Sequence, residues 1–318
     1  MPALRRLLLS LALGCRGCPP DPQECVPAEE IGCDGLDQDC DGADACSPRD
    51  NADLYGSLAD EGYGAALAWH QGDLWVGAPF DPGGGRLYKE EALIRTGGPF
   101  LGTALVADTT VLVGGDGRVE DSAGGVLAAR AGRWATRSGT GAVWDDGTTV
   151  ALGARPDSLA IDPRGALAAG FAFGDVALSA GALTVGREAR DEAGWALLPL
   201  DVDGDGDEEW IVGAPAGNRV DVRDGETLAL ITSWTGGTGR FGHALATDGT
   251  LVYVGAPMAG TDAQGAVWAC TPGTGSCALR ETGSTLQDQL GFALTCGGGN
   301  VFLGAPGGPG TAGYVRVR

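Results

Sequence analysis

The run Asp201-Val202-Asp203-Gly204-Asp205-Gly206-Asp207-Glu208-Glu209 sets a carboxylate at every second position. In a tight loop, alternate carboxylates aim at one point. A calcium ion takes six to eight oxygens of that kind. In this reading Asp201, Asp203 and Asp205 supply side-chain oxygens and Gly206 permits the bend. Asp207 offers its backbone carbonyl, and Glu209 closes the site. Carboxylates packed this tightly repel one another without a cation; the alternative is an acidic, solvated hairpin tip. A second acidic run, from Cys33 to Cys46, repeats the pattern with Asp37, Asp39 and Asp41, followed by Asp44. Gly42 permits the bend, and a Cys33–Cys40 bridge would hold that loop closed. Hard oxygen ligands select calcium over copper. Here the alternative is an acidic, disulfide-stapled spacer.

Little else in the chain could do chemistry. Lys89 is the only lysine and His70 and His243 are the only histidines, so phosphate cradles, Schiff bases and multi-histidine zinc sites are all but excluded. Ser57, Ser122 and Ser284 read as loop residues, and Cys296 as a buried small strand residue or a partner of Cys277 rather than a nucleophile. No nucleophile, base and orienting group come together, and the chain is expected not to be an enzyme. Trp75 and Trp268 stand at strand positions and read as packing residues rather than a sugar platform. A net charge of −21 argues against nucleic acid or an anionic membrane as partner.

The loops need a scaffold, and the chain supplies one by repetition. It holds 57 Gly in 318 residues, more than twice the ~7% of average usage, with no three-residue period. Tyr63-Gly64-Ala65-Ala66-Leu67 runs on to Val76-Gly77-Ala78-Pro79. Phe241-Gly242-His243-Ala244-Leu245 runs on to Val254-Gly255-Ala256-Pro257, and Leu290-Gly291-Phe292-Ala293-Leu294 to Leu303-Gly304-Ala305-Pro306. The two glycines of each copy are 13 residues apart (64 to 77, 242 to 255, 291 to 304). Weaker copies run from Gly102 to Gly114, Gly141 to Gly153 and Gly174 to Gly186, each 12 apart. A seventh, Gly194 to Gly213, is lengthened by the acidic loop.

Asp248-Gly249, Asp146-Gly147 and Gly72-Asp73 lie between apolar runs and predict hairpins. Third strands include 86–88, 220–222, 266–268 and 314–317. Strands this short cannot bury a face alone, so the units must stack. Gly174 and Gly194 stand too close for a full unit. Either the fourth unit has fewer strands or residues 166–169 belong to it.

The pairing of a Phe-Gly start with a Gly-Ala-Pro end resembles the FG-GAP repeat of integrin-α-like β-propellers, over most of residues 55–318. The second and third units depart from it by lacking the Pro. The resemblance implies an all-β propeller of seven blades (six being the alternative) that recognises protein or glycan through its blade loops. It also implies that the 201–209 loop is a structural calcium clip between two strands of one blade, with Glu209 where the family has Asp. Asp53–Leu58 is expected to close the ring by adding an outer strand beside 314–317. The 33–46 run resembles the short MopE-type metal-binding motif of secreted bacterial proteins.

At the N-terminus, Arg5 and Arg6 precede the apolar run 7–13, which reads as an export signal too short to span a bilayer. Ala12-Leu13-Gly14-Cys15 resembles the bacterial lipobox, which implies lipidation of Cys15; the alternative is an ordinary signal with a disulfide Cys. Export makes disulfides the expected state, and the local pairs are Cys33–Cys40 and Cys270–Cys277. The expected organisation is a signal at 1–14, an acidic Pro/Cys-rich tether with the metal motif at 15–51, and the propeller at 52–318. A monomer is expected, secreted or held at the outer membrane by lipid alone. Two other roles stand beside recognition: a glycan-active hydrolase or lyase of propeller fold, and a purely structural surface-layer component.

Overall fold

Short apolar strands separated by Gly and Asp turns can satisfy their backbone only by pairing with the strand that follows, and here they pair in series. The computed structural model describes residues 53–107, 111–115, 118–124, 135–138, 141–144, 149–151, 158–161, 167–171, 175–178, 181–184 and 191–318. All fall in one compact unit, Pro48–Arg318.

The first strand, β1 (Leu54–Tyr55), belongs to the last blade. Blade 1 is β2 (Ala66–His70), β3 (Asp73–Ala78), β4 (Arg86–Lys89) and β5 (Ala92–Thr96), and blade 2 is β6 (Ala104–Ala107), β7 (Val111–Gly115) and β8 (Arg118–Asp121). Blade 3 is β9 (Ala135–Ser138), β10 (Gly141–Trp144) and β11 (Thr149–Ala151), and blade 4 is β12 (Ser158–Ile161), β13 (Leu167–Phe171), β14 (Asp175–Leu178) and β15 (Gly181–Thr184). Blade 5 is β16 (Ala196–Leu200), β17 (Glu209–Ala214), β18 (Arg219–Arg223) and β19 (Leu230–Trp234). Blade 6 is β20 (Ala244–Thr247), β21 (Val252–Ala256), β22 (Ala266–Thr271) and β23 (Ser276–Thr282). Blade 7 is β24 (Ala293–Gly297), β25 (Asn300–Ala305) and β26 (Tyr314–Val317), completed by β1.

The described residues thus form seven antiparallel sheets, five of four strands and two of three. First strands lie side by side from blade 1 to blade 2 and from blade 3 through to blade 7, and β24 returns to β2. The fold is a closed β-propeller. Closure occurs where the sequence placed it, with Leu54 opposite Val315 and Tyr55 opposite Tyr314.

The core lies between blades, as side chains that alternate along each strand require. Along β25, Val301, Leu303 and Ala305 pack with Tyr253 and Val267 of blade 6. Phe302, between them, turns to Leu67, Leu74 and Val76 of blade 1. Blades 5 and 6 meet over Ile211, Val220, Val222, Trp234, Phe241, Val252 and Val254. Trp268 packs edge-on to Phe241, at 5.6 Å between centroids, and Trp75 packs against the Leu87, Leu101 and Val113 cluster.

Two repeat assignments shift. Gly141 opens β10, the second strand of blade 3, and residues 167–171 are the second strand of blade 4. The 12-residue spacing therefore spans the second and third strands in unit three, where Gly141 opens β10 ahead of β11, and the third and fourth strands in unit four, where the interval from 174 to 186 holds β14 and β15. Any apolar strand, Gly turn and apolar strand presents the same local pattern, and only the sheet order tells the hairpins apart. Of the segment 166–169, the described residues 167–169 belong to the second strand of the fourth unit, which resolves the short distance from Gly174 to Gly194. Gly153, Gly174 and Gly186 lie outside the described residues.

Because every pairing within a blade is antiparallel between chain neighbours, the blade loops separate into two ends. Turns joining first to second and third to fourth strands share one end, called the hairpin end below. Links from second to third strand, and from each blade to the next, share the other, the connection end.

Candidate functional site

The acidic loop joins β16 to β17 at the hairpin end of blade 5, with Leu198 opposite Ile211 and Leu200 opposite Glu209 in the supporting ladder. Asp201, Asp203 and Glu209 each bring a carboxylate oxygen within 4.8 Å of the others. Backbone amides shape the turn: Gly204 and Gly206 donate to Asp201 Oδ1 and Oδ2 at 2.7 and 3.1 Å, and Asp205 donates to Asp203 Oδ1 at 3.2 Å. Both glycines hold φ near +90° (82° and 95°), where other residues are strained. Asp205 stands outside the triad, its Oδ1 accepting the Asp207 amide at 2.8 Å. Of the five sequence candidates, the fold brings three side chains together.

Glu209 is buried while the aspartates are exposed. Burial raises its pKa, the Val202 amide at 2.9 Å opposes the rise, and Asp203, Asp205 and Asp201 add to it. Three converging oxygen donors, one of them desolvated, suit a hard cation such as calcium. Asp201, Asp203 and Glu209 would hold it by side chains.

The connection end carries a different surface. Leu58, Phe80, Phe100, Trp195, Met258 and Leu286, each 37% exposed or more, all lie in its loops. The other large exposed apolar side chains among the described residues, such as Ile94, Ile231 and Leu279, sit on fourth strands at the rim.

At the inner edge of the connection end, the residue after the first Gly of blades 5, 6 and 7 is aromatic in each case. Trp195 and His243 stand 5.4 Å apart by ring centroid, and His243 and Phe292 4.8 Å. Arg240 lies over the Trp195 ring at 5.1 Å and pairs with Glu192. His243 Nδ1 lies 3.2 Å from the Phe292 carbonyl. Burial, and then Arg240, push the imidazole pKa down to about 4, so the ring is neutral at physiological pH and can donate to that carbonyl.

Sequence reading passed over a set of buried carboxylates at this end. Glu61, Asp191 and Asp288 are buried, each three residues before a repeat glycine (Gly64, Gly194, Gly291). Glu61 accepts the Leu58 amide at 3.1 Å and the Tyr88 hydroxyl at 2.6 Å. Asp288 accepts the Ser284 and Thr285 amides at 2.7 and 2.8 Å and the Tyr314 hydroxyl at 2.9 Å. Asp191 pairs with Arg219. Each ties an inter-blade link to the third strand of its blade. The recurring offset from the glycine was the available signal. Blade 6 has Gly239 at that offset.

Cys270 and Cys277, opposite each other on β22 and β23, form the expected disulfide, and Cys296 is a free thiol with its pKa pushed up to about 12 by burial. Cys15, Cys33, Cys40, Asp37, Asp39, Asp41 and Asp44 lie outside the described residues.

No protein-family model matches the chain, and no curated protein sequence does. Among solved structures it is similar to the WD40 β-propeller domain of Doa1, with a TM-score of 0.59 and 15% identity, over 84% of this chain and 95% of that one. At this identity the likeness establishes the fold alone.

Proposed function

We propose that this chain is a non-enzymatic, calcium-stabilised β-propeller of the FG-GAP type that works outside the cytoplasm and recognises a protein or glycan with its connection end. The observation that carries the reading is the gathering of Leu58, Phe80, Phe100, Trp195, Met258 and Leu286 in loops at one end. Exposed apolar side chains on a rigid scaffold act as anchors for a partner. The Asp201, Asp203 and Glu209 loop lies at the opposite end. Calcium there would clip a long hairpin rather than bridge to a ligand. In this reading the MopE-type segment is a second calcium loop in a tether that begins at lipidated Cys15, and the protein is a monomer.

The test uses the full chain in calcium against arrays of extracellular proteins and glycans, beside a Phe80→Ser/Phe100→Ser/Met258→Ser variant. Binding by the native chain, lost in the variant at unchanged melting temperature, supports the reading. Binding that survives the triple substitution overturns the assignment of the face. Sustained turnover of a polysaccharide panel overturns the non-enzymatic reading.

A further inference from the structure

We propose that the arc of Trp195, His243 and Phe292, with Arg240 and Glu192 at its edge, binds a hexopyranose ring of a neutral glycan. The inference rests on recognition at the connection end and names the ligand class of one site there.

The argument is one of matching surfaces. Trp195 is 37% exposed although it abuts His243 and Arg240, so part of a flat indole remains free. Beside it, the Arg240 guanidinium uses one nitrogen on Glu192 Oε2, and its other N–H groups meet no acceptor among the described residues. Glu192 Oε1 accepts no hydrogen bond there either, and both side chains are partly exposed, at 29% and 25%. His243 engages Nδ1 at the Phe292 carbonyl, and its Nε2 meets no partner among the described residues. The site therefore offers an apolar plane, free donors and free acceptors within one patch.

Few ligand classes use all three. A purely apolar side chain would cover the ring and strand the polar groups, at the cost of their hydration. A cation meets the charge of Arg240, which lies over part of the Trp195 ring and leaves the rest of the indole exposed. An anion meets Glu192 and a chain of net charge −21. A pyranose fits: its C–H face is apolar, and its neighbouring hydroxyls both donate and accept. Burying that face on indole and pairing two hydroxyls with the Arg240–Glu192 fork needs no charge on the ligand.

The experiment titrates the full chain, in calcium, with soluble hexasaccharides of glucose, mannose, galactose and N-acetylglucosamine. Polygalacturonate serves as anionic control and an oligo-arginine peptide as cationic control. Saturable binding of at least one neutral hexasaccharide is expected. It should weaken about ten-fold or more in Trp195→Ala, about the worth of one aromatic contact, and be largely kept in Trp195→Phe. Glu192→Gln should weaken it at unchanged melting temperature. Binding unaltered in Trp195→Ala, or binding of only the charged controls, overturns the proposal. So does the absence of sugar binding where a protein ligand is captured through Phe80 and Phe100; in that case recognition at the connection end stands and only the sugar falls.

Discussion

The carbonyl oxygen of Gly64, in the first repeat, lies so close to Gly304, in the last, that a Cβ on Gly304 would stand 2.2 Å from it. Gly64 itself holds φ of +92°, and a Cβ there would meet the Tyr314 carbonyl at 2.7 Å. The same approach recurs between Gly77 and Gly102, Gly213 and Gly242, and Gly255 and Gly291, at 2.0–2.1 Å. Within blade 7 the Gly291 amide donates to the Gly304 carbonyl at 3.0 Å. The second glycine of each pair is thus pressed between its own first strand and the next blade. The two-glycine repeat is a packing rule, because any side chain there would hold adjacent blades apart.

Gly304→Ala should therefore destabilise the propeller by about 2–4 kcal/mol, as overpacking against backbone does. Gly98→Ala, where a Cβ meets nothing within 4 Å, should be near neutral. Thermal unfolding of both decides it. Equal melting temperatures would mean that the ring relaxes freely at its seam.

Arg316 ties the closing end of the chain to blade 7 and blade 7 to blade 6. It is 5% exposed and reaches Asp53 at 3.3 Å, Glu281 of β23 at 3.1 Å and the Thr282 carbonyl at 2.8 Å. Its loss would take the cation from Asp53 in this part-buried cluster, while Glu281 keeps Arg318 at 2.7 Å. Arg316→Met should cost about 3 kcal/mol by denaturant titration, and deletion of residues 50–58 should lower the melting temperature further. Unchanged stability in both would show that β1 is dispensable for closure.

If the Asp201, Asp203 and Glu209 triad holds calcium in the folded state only, calcium at a hundred times its dissociation constant should stabilise by about 2.7 kcal/mol. Calorimetry in calcium and then in excess EGTA reads this directly. Asp203→Asn/Glu209→Gln should unfold at one temperature in both. A calcium response kept by that variant would move the ion elsewhere in the chain.

His243 sets a pH term. Its pKa is near 4 folded, against 6.5 for the ordinary side chain. Below about pH 6.5 the unfolded chain takes up a proton that the folded chain refuses, so stability falls from there down to about pH 4 and then levels. The loss should reach at most roughly 3 kcal/mol. Denaturation of the native chain and His243→Gln at pH 7.5 and pH 4.5 should show a smaller drop in the variant. An equal drop would place the titration in carboxylates alone.

What could be read from residues in order was the local part. Glycine spacing, Asp-Gly turns, the Cys270–Cys277 bridge and the position of the acidic loop between two strands depend on residues close in the chain, whose sterics and hydrogen bonds act over one hairpin. The tertiary structure decided what depends on closure. It showed that the repeated spacing covers second and third strands in blade 3 and third and fourth strands in blade 4, rather than the first-to-second hairpin. It left Asp205 outside the triad, because that side chain caps the Asp207 amide. It buried Glu61 and Asp288 by bringing Tyr88 and Tyr314 over them, and it ranged Trp195, His243 and Phe292, each from a different blade, along one arc. Those residues are some fifty positions apart (195, 243 and 292). Nothing local joins them; they meet because the ring closes and sets the start of every first strand at the same end.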